Sequence, residues 1–356
     1  MAETQRALIG TYTAGRTSLG VYLVDCAANG SIVVRDVLAS DDPSFIVLHP
    51  RLPLAYTVNE RVDTPGGLTV LALQGDRIAP VATQSLAGEL PCHLALLPDA
   101  SGLVVAHYGC GTVQWLGLDA HGSPDGRSAS IRHVGSGLHP RRQASAHAHC
   151  VLPIGEDIYV ADLGLDAVVQ HRLHRGAPGS GVDSRLVEQS RCAIHAGAGP
   201  RHLCAAADGR TLWLCNELDN SVSTLRRAAD GSLTEAGWTG TLPPGSSVRS
   251  ATSEIALHPA GRWLYVGNRG HDSLVRLELD VRGVPQPPLP DTAWVASGGV
   301  HPRHFALAPD GLRLLAANRD PGSLQAFVVD AGDGSLRPLG APCMEVPAPV
   351  CVRWLR

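Results

Sequence analysis

The hydrophobic residues of this chain occur in short runs, which are separated by clusters rich in glycine, proline, aspartate and asparagine. Examples are the runs FIVLHP, LAYTV, LTVLAL, TLWLC and RWLYVGN. An amphipathic helix would place apolar residues every three or four positions over a longer stretch, and that pattern is hard to find here. Many short apolar runs bounded by turn-forming residues are typical of an all-β protein.

The runs recur with a period of about fifty residues. When six units are aligned on the residue that ends their first strand, the successive spacings are 48, 55, 54, 52 and 50 residues. Nine positions later, four units have asparagine and one has aspartate. A fixed period of this length predicts a repeat architecture. The alignment residues are Pro50, Pro98, Pro153, Ala207, Pro259 and Pro309, followed nine positions later by Asn59, His107, Asp162, Asn216, Asn268 and Asn318.

The two ends of the chain supply a seventh unit. Residues 347–355 are predicted to form a lone first strand, and residues 6–25 the strands that complete it. About fifty residues and four strands per unit match the size of a propeller blade, and pairing the two ends would remove the exposed sheet edges. We therefore predict an all-β fold, a seven-bladed β-propeller of four-stranded blades. It would be a single domain over residues 1–356, closed by pairing N-terminal strands with a C-terminal strand.

Charge and composition narrow the chemistry. Charged residues make up 17% of the 356 residues and the formal net charge is −4, so nothing favours binding to nucleic acid or to an acidic membrane. All 29 basic residues are arginines. A Schiff-base lysine and a P-loop lysine are thereby excluded, and any anion must be held by Arg, His or backbone N–H groups.

Cysteine usage and the N-terminal sequence indicate a cytoplasmic protein. The nine cysteines are scattered without a C-x-x-C pair, which in a chain of this length is typical of reduced thiols. The segment MAETQRALIGTYT has no basic stretch followed by an apolar one, and no apolar run approaches 18 residues. We expect a cytoplasmic monomer or homodimer without membrane association.

Polar residues converge at one mouth of the predicted central channel. In each blade, the start of the first strand lies beside the end of the antiparallel second strand. Six residues before the alignment positions stand Ser44, Cys92, His147, Arg201, Ser253 and Arg303. The next positions hold Phe45, His93, Ala148, His202, Glu254 and His304. Ten residues after the alignment positions come Glu60, Tyr108, Leu163, Glu217, Arg269 and Arg319.

This mouth suits a small anionic substrate, because Arg binds carboxylate or phosphate through two parallel hydrogen bonds. The tripeptide Pro-Arg-His occurs there twice, with Arg201 and Arg303. Since Glu217 accompanies the first copy and Arg319 the second, we assign Arg201 to the chemistry and Arg303 to holding substrate charge. A third similar stretch, HPRR at 139–142, lies outside this register, and the sequence gives it no role.

The stretches GPRHLCAAADGRTLWLCNELDNSV, SEIALHPAGRWLYVGNRGHDSL and HPRHFALAPDGLRLLAANRD closely resemble the lactonase family of seven-bladed propellers. That family includes the propeller-type 6-phosphogluconolactonase and carboxy-cis,cis-muconate cyclase. The segments LIGTYT, PCHL, SAHAH, VADLG and VPAPVCV fit the same pattern, so the resemblance spans essentially the whole chain. The chain departs from it at His107, where the family commonly has Asn, and at Asp162 and Leu163.

The resemblance implies an active site of one His, one Glu and two Arg, without a metal or other cofactor. By motif these are Glu217 of NEL, Arg201 of PRH and Arg269 of NRGHDS. The His falls in AHAH, where the repeat register favours His147 and His149 stays open. The other residues expected to bind substrate at the mouth are His93, His149, His202, Glu254, Arg303, His304 and Arg319.

The implied reaction is the hydrolysis of a small anionic sugar lactone, as in 6-phosphogluconolactonase. Glu217 would activate water as general base, Arg201 and Arg269 would stabilise the oxyanion, and His147 would protonate the leaving ring oxygen. Two other functions stay open: a carboxymuconate cyclase-like isomerase, and a non-catalytic propeller that binds a protein. The converging Glu, His and Arg residues and the low aromatic content of 4% disfavour the binding module.

Two other chemistries are disfavoured by the sequence. A metal held by His147 and His149 would lack a supporting carboxylate cluster. A nucleophilic Cys92 would lack a specific base beside it.

Overall fold

The computed structural model describes residues 4–61, 66–176, 183–289 and 292–355, and within these ranges the chain is almost entirely β-strand. In chain order the first strands are β1 (Gln5–Thr11), β2 (Gly20–Cys26), β3 (Ile32–Ala39), β4 (Pro43–Leu48), β5 (Leu54–Asn59), β6 (Gly67–Gln74), β7 (Arg77–Ser85), β8 (Pro91–Leu96), β9 (Gly102–His107), β10 (Thr112–Leu118), β11 (Pro124–Arg132), β12 (Ala148–Ile154) and β13 (Asp157–Asp162).

A short 3-10 helix, η1 (Leu163–Leu165), follows β13. The remaining strands are β14 (Ala167–His174), β15 (Arg185–Ala193), β16 (Pro200–Ala205), β17 (Thr211–Asn216), β18 (Ser221–Arg227), β19 (Leu233–Gly240), β20 (Ala251–Leu257), β21 (Trp263–Arg269), β22 (Ser273–Glu278), β23 (Trp294–Ala296), β24 (Val300–Leu307), β25 (Arg313–Asp320), β26 (Ser323–Val329), β27 (Leu336–Cys343) and β28 (Pro349–Trp354).

The strands form seven antiparallel sheets of four strands each. Six sheets use four consecutive strands; we number these blades 1 to 6, and they begin at β4, β8, β12, β16, β20 and β24. Blade 7 contains β28, β1, β2 and β3, with Val352 opposite Ile9. The last strand of the chain thus pairs with the first, which confirms the predicted seven-bladed propeller and the way it closes.

The first strand of each blade lies innermost and contacts the first strand of the next blade. Contacts of β28 with both β24 and β4 complete the ring around a central channel. Hydrophobic side chains fill the space between neighbouring blades; Trp115 of blade 2, for example, packs with Val151 and Val160 of blade 3. Each such fully buried aliphatic side chain contributes roughly 1.5–3 kcal/mol to folding.

The repeated asparagines have a structural role at the ends of the second strands. Asn268 is fully buried and donates from Nδ2 to the backbone carbonyl of Thr241 at 3.1 Å. Asn318 donates in the same way to the carbonyl of Ser297 at 2.9 Å. Both asparagines thereby give a partner to a backbone carbonyl that would be costly to leave buried without one.

Every first strand carries a β-bulge at the same end. In blade 4, Pro200 lies opposite Asn216 and His202 lies opposite Cys215, so Arg201 is the extra residue. A bulge re-aims the strand locally, and here both Arg201 and His202 contact the first strand of the neighbouring blade 5. The residues at the corresponding bulge position are Ser44, Cys92, His149, Arg201, Ser253, Arg303 and Val350.

Candidate active site

The third blade departs from the register that the sequence suggests. Ala148 pairs with Asp162, 14 residues further on, whereas the equivalent residues Pro200 and Asn216 are 16 residues apart. The hairpin of blade 3 is therefore two residues shorter than that of blade 4. Counting six residues back from the alignment residue Pro153 reaches His147, which lies two residues before the bulge. The register argument for His147 was wrong on this point, because His149 occupies the bulge position.

Glu217 lies at the centre of an ion cluster at the mouth. It directly follows β17, its side chain is 5% exposed, and its backbone N–H donates to Gly199 O at 2.7 Å. Its Oε2 accepts from Arg201 Nε at 2.9 Å and contacts Arg269 Nη2 at 2.8 Å. Its Oε1 accepts from Arg142 Nη2. One carboxylate is therefore shared by three guanidinium groups, a set called the Glu217 cluster below.

Two of these arginines are held rigidly. Arg201 is 2% exposed and donates from Nη1 to the carbonyl of Ser253. Arg269 is 8% exposed and donates from Nη2 to the carbonyl of Thr252 at 2.6 Å. These backbone contacts fix both guanidinium groups before any ligand arrives.

The electrostatics of the Glu217 cluster favour the ionised carboxylate. Burial alone would raise the pKa of Glu217, but the charges of Arg269 and Arg201 outweigh it and hold that pKa well below its ordinary value. Burial lowers the pKa of Arg269 to about 10, which leaves this group protonated at neutral pH. The cluster keeps an excess of positive charge and is therefore suited to an anion.

His149 borders the cluster and His147 does not. His149 Nε2 lies 3.9 Å from Glu217 Oε2, and its Nδ1 lies 3.8 Å from Cys92 Sγ. Burial and the nearby Arg201 charge hold the pKa of His149 well below its ordinary value, so the ring is neutral at pH 7. His147 instead stacks on the Tyr108 ring at 4.5 Å and donates from Nδ1 to the Tyr108 carbonyl at 2.7 Å.

This difference makes the two histidines a matched pair of variants. For the lactone hydrolysis that the sequence resemblance implies, we expect His149→Ala to reduce kcat by about 10²-fold, as loss of a proton-transfer group does. His147→Ala removes the stacking contact and the hydrogen bond to the Tyr108 carbonyl, neither of which involves Glu217, and should change kcat by less than about threefold. Steady-state kinetics on both variants check this, with thermal unfolding to verify that both fold. A larger loss of kcat in His147→Ala would reverse the assignment.

Four predicted substrate-binding residues form a buried layer one step deeper along the first strands: His93, His202, Glu254 and His304. Glu254 Oε2 accepts from His202 Nδ1 and from His304 Nε2, both at 2.9 Å. Burial lowers the pKa of His202 to about 4. His202 Nε2 lies 3.2 Å from Arg201 Nη1. The buried layer therefore packs beneath Arg201 and contacts the mouth through that residue.

Arg303 belongs to a second polar group at the mouth. Its Nη2 donates to Tyr12 Oη at 2.5 Å, and its guanidinium lies 5.1 Å from the centre of the Tyr12 ring. Tyr12 Oη in turn donates to Glu60 Oε2 at 2.9 Å. Arg303 also interacts electrostatically with Glu217, so this group and the Glu217 cluster share the mouth.

Arg319 is not brought into the Glu217 cluster. Its Nη2 pairs with Oδ2 of its neighbour Asp320 at 2.7 Å, and both side chains are half-buried. Arg319 lies near the end of β25, but the carboxylate of the next residue in the sequence pairs with its guanidinium.

Arg142 and Tyr12 are the residues that the sequence interpretation missed. Arg142 is part of HPRR, which lies outside the repeat register and to which the sequence gives no role. Its contact with Glu217 shows that this interpretation is wrong. Arg142 reaches the mouth from the loop between β11 and β12. The unusual length of this loop and its two adjacent arginines were the available signals.

A separate open cavity of about 1160 Å³ lies between blades 7 and 1. Its lining is mostly small and polar and includes Thr69 and Thr83. The charged residues of the lining are Asp41, Asp42 and Arg61. Two carboxylates against one guanidinium make this cavity less suited to an anion than the Glu217 cluster.

Within the described ranges, no helix has the length and hydrophobicity that crossing a bilayer requires. No group of three or more His, Cys, Asp or Glu side chains there is arranged to hold a metal ion. That the reaction needs no metal stays a prediction.

Comparison with known proteins gives matches over nearly the full length. Residues 6–354 match the family model described as "Lactonase, 7-bladed beta-propeller". The chain is 29% identical to a 6-phosphogluconolactonase of Bacillus subtilis (strain 168), over 98% of this chain and 97% of that protein. The crystal structure of a protein from Lactobacillus plantarum superimposes with a TM-score of 0.89 at 26% identity, over 99% of this chain and 100% of the other. A periplasmic gluconolactonase of Pseudomonas aeruginosa gives 0.86 at 27% identity, over 99% of both chains.

Proposed function

Because this chain belongs to the lactonase family of seven-bladed β-propellers, we propose that it hydrolyses a small anionic sugar lactone of the 6-phosphogluconolactone type at the Glu217 cluster. The relative from Bacillus subtilis supports this substrate class. The observation that carries the proposal is one buried carboxylate in contact with three guanidinium groups and an imidazole. Such an arrangement combines a proton acceptor with donors for an oxyanion.

The proposed reaction begins with attack of water on the lactone carbonyl carbon. Glu217 accepts a proton from the water as the carbon–oxygen bond forms. Arg201 and Arg269 donate hydrogen bonds to the carbonyl oxygen, which becomes negative in the tetrahedral intermediate. Because both guanidinium groups are already fixed by backbone carbonyls, little reorganisation is needed at that moment.

Collapse of the intermediate breaks the bond between the carbonyl carbon and the ring oxygen. The ring oxygen takes a proton through His149, which recovers it from the protonated Glu217. The neutral state of buried His149 suits this relay. A neutral imidazole can accept a proton from Glu217 and then donate it to the ring oxygen. The product is an open-chain hydroxy acid.

The remaining positive charge at the mouth holds the substrate's anionic group. Arg303 with Tyr12, and Arg142 with Tyr108, are the candidates for this contact. Charge-assisted hydrogen bonds of this type are roughly twice as strong as neutral ones. We expect the enzyme to act in the cytoplasm, although one relative is periplasmic.

A panel of lactones tests the proposal. Purified protein in EDTA is expected to open 6-phosphoglucono-δ-lactone with a kcat/KM about tenfold or more above that for unphosphorylated glucono-δ-lactone. One hydrogen bond to a charged group is worth about 1.5–3 kcal/mol, and every 1.4 kcal/mol corresponds to a factor of about ten. Loss of activity in EDTA would overturn the metal-free mechanism. Lactone formation from a carboxymuconate, without lactone opening, would favour the cyclase alternative.

A further inference from the structure

The three arginines of the Glu217 cluster differ in their freedom to move. Arg201 and Arg269 are buried and tied to backbone carbonyls. The Arg142 side chain is 39% exposed, and its hydrogen bonds go to the Glu217 carboxylate and to Tyr108 Oη at 3.2 Å. Of the three guanidinium groups, that of Arg142 can therefore leave the carboxylate at the lowest cost.

The backbone that carries Arg142 is fixed. The next residue, Gln143, is fully buried and donates from Nε2 to Leu163 O at 2.9 Å and to Asp166 Oδ1 at 2.6 Å. Its Oε1 accepts from the His139 backbone N–H at 2.8 Å. A change of partner by Arg142 thus requires side-chain rotation only, with the loop in place.

The position of Arg142 matters for the chemistry of Glu217. Oε2 is held by Arg201 and Arg269, so Oε1 is the oxygen left to accept a proton from water. In the structure Oε1 is occupied by Arg142. A carboxylate whose two oxygens both accept from guanidinium groups is a poor base, because its ionised form is strongly stabilised.

We propose that Arg142 is an anion-responsive cap on the catalytic base: the anionic group of the lactone draws the Arg142 guanidinium away from Glu217 Oε1. Oε1 then accepts a water proton while the water oxygen bonds to the carbonyl carbon. A lactone without an anionic group leaves the cap in place. Arg142 thereby couples recognition of substrate charge to activation of the base, an inference that rests on the proposed function.

The replacement Arg142→Gln tests the cap. Its matched control is Arg141→Gln, which removes a neighbouring exposed arginine from the same loop. Without the cap, kcat/KM for the neutral glucono-δ-lactone should rise about threefold to tenfold, while that for 6-phosphoglucono-δ-lactone should fall about tenfold or more. Arg141→Gln should leave both values unchanged. An equal loss on both lactones, or an unchanged neutral rate, would overturn the proposal.

The pH dependence gives a readout that a purely structural role would not move. Arg142 is one of the charges that hold the pKa of Glu217 low, so its removal raises that pKa. The acidic limb of the kcat/KM profile, which reports groups in the free enzyme, should therefore shift to higher pH in Arg142→Gln and stay in place in Arg141→Gln. The other charged or titratable groups facing Glu217 are Arg201, Arg269, Arg303 and His149, and all are retained in both variants.

A crystal structure with inorganic phosphate separates failure of the cap from failure of the lactonase proposal. Phosphate bound to Arg142, with the guanidinium moved off Glu217 Oε1, supports the cap even if no lactone is hydrolysed. Arg142 still on Glu217 with phosphate at the mouth rules the cap out, whatever the lactone assays show.

Discussion

Replacement of Glu217 by Gln is expected to lower kcat for hydrolysis of 6-phosphoglucono-δ-lactone by about 10³-fold. Gln has nearly the same shape but cannot accept the proton of the attacking water, and general base catalysis is worth about 10²–10⁴-fold. The rate is measured by titration of the acid formed, with subtraction of spontaneous hydrolysis.

The control for this variant is Glu235→Gln on β19, the outer strand of the same blade. Glu235 is also an ion-pairing carboxylate, bonded to His195 at 2.8 Å, but it lies away from the channel. This variant should keep kcat within about twofold. A Glu217→Gln enzyme that retains more than about a tenth of wild-type kcat would show that another group is the base.

Glu217→Gln should also lower stability, because it leaves three guanidinium groups without their shared carboxylate. Removing one partner of a buried pair costs about 3–5 kcal/mol. Since the pKa of Glu217 is held below its unfolded value, this stabilisation is present at neutral pH and is lost as pH falls through the folded-state pKa. Kinetics should therefore be recorded near neutral pH, on protein shown to be folded.

Replacement of Arg201 by Met is expected to reduce kcat by about 10²–10³-fold, which is the usual cost of losing one oxyanion donor. Arg201 is 2% exposed and is anchored on both sides, by Glu217 and by the Ser253 carbonyl. Water in place of the Arg201 guanidinium would not hold a hydrogen-bond donor in the same fixed position. The effect is read from kcat rather than from KM.

The second Pro-Arg-His copy provides the matched control. Arg303 has the same position in blade 6 but bonds Tyr12 instead of a carboxylate. Arg303→Met should therefore raise KM for the phosphorylated lactone about tenfold, with a much smaller change in kcat. If Arg201→Met changed KM alone and Arg303→Met changed kcat, the two roles would have to be exchanged.

The fold and most residues of the candidate site could be predicted from the sequence because each blade repeats the same local pattern. Turn residues, the asparagine at the end of the second strand and the closing strand occur at fixed spacings, which a single sequence displays. The two Pro-Arg-His copies share a register for the same reason, and the structure places both at equivalent bulges.

His149 and Arg142 could not be placed in this way. In blade 3 the alignment residue Pro153 lies within β12 instead of after it. Because the hairpin is shorter, the positions along this strand are shifted by two residues relative to the other blades. Arg142 contacts Glu217 across 75 residues of sequence from a loop that no other blade has in this form. Such contacts depend on loop conformation, which a repeat register does not encode.

In the proposed mechanism, the surplus of positive charge at the mouth links the binding of an anionic substrate to base catalysis. Without ligand, Glu217 is a weak base because it is paired with three arginines. We propose that an anionic substrate takes Arg142 from Glu217, so that the basicity of Glu217 rises only when substrate is bound.

The most direct test of this account is a crystal structure with a slowly reacting lactam analogue of 6-phosphoglucono-δ-lactone. We expect the analogue to bind at the channel mouth, with its carbonyl oxygen within hydrogen-bonding distance of Arg201 and Arg269 and its carbonyl carbon facing Glu217. Binding instead in the cavity between blades 7 and 1, lined by Asp41, Asp42 and Arg61, would contradict it.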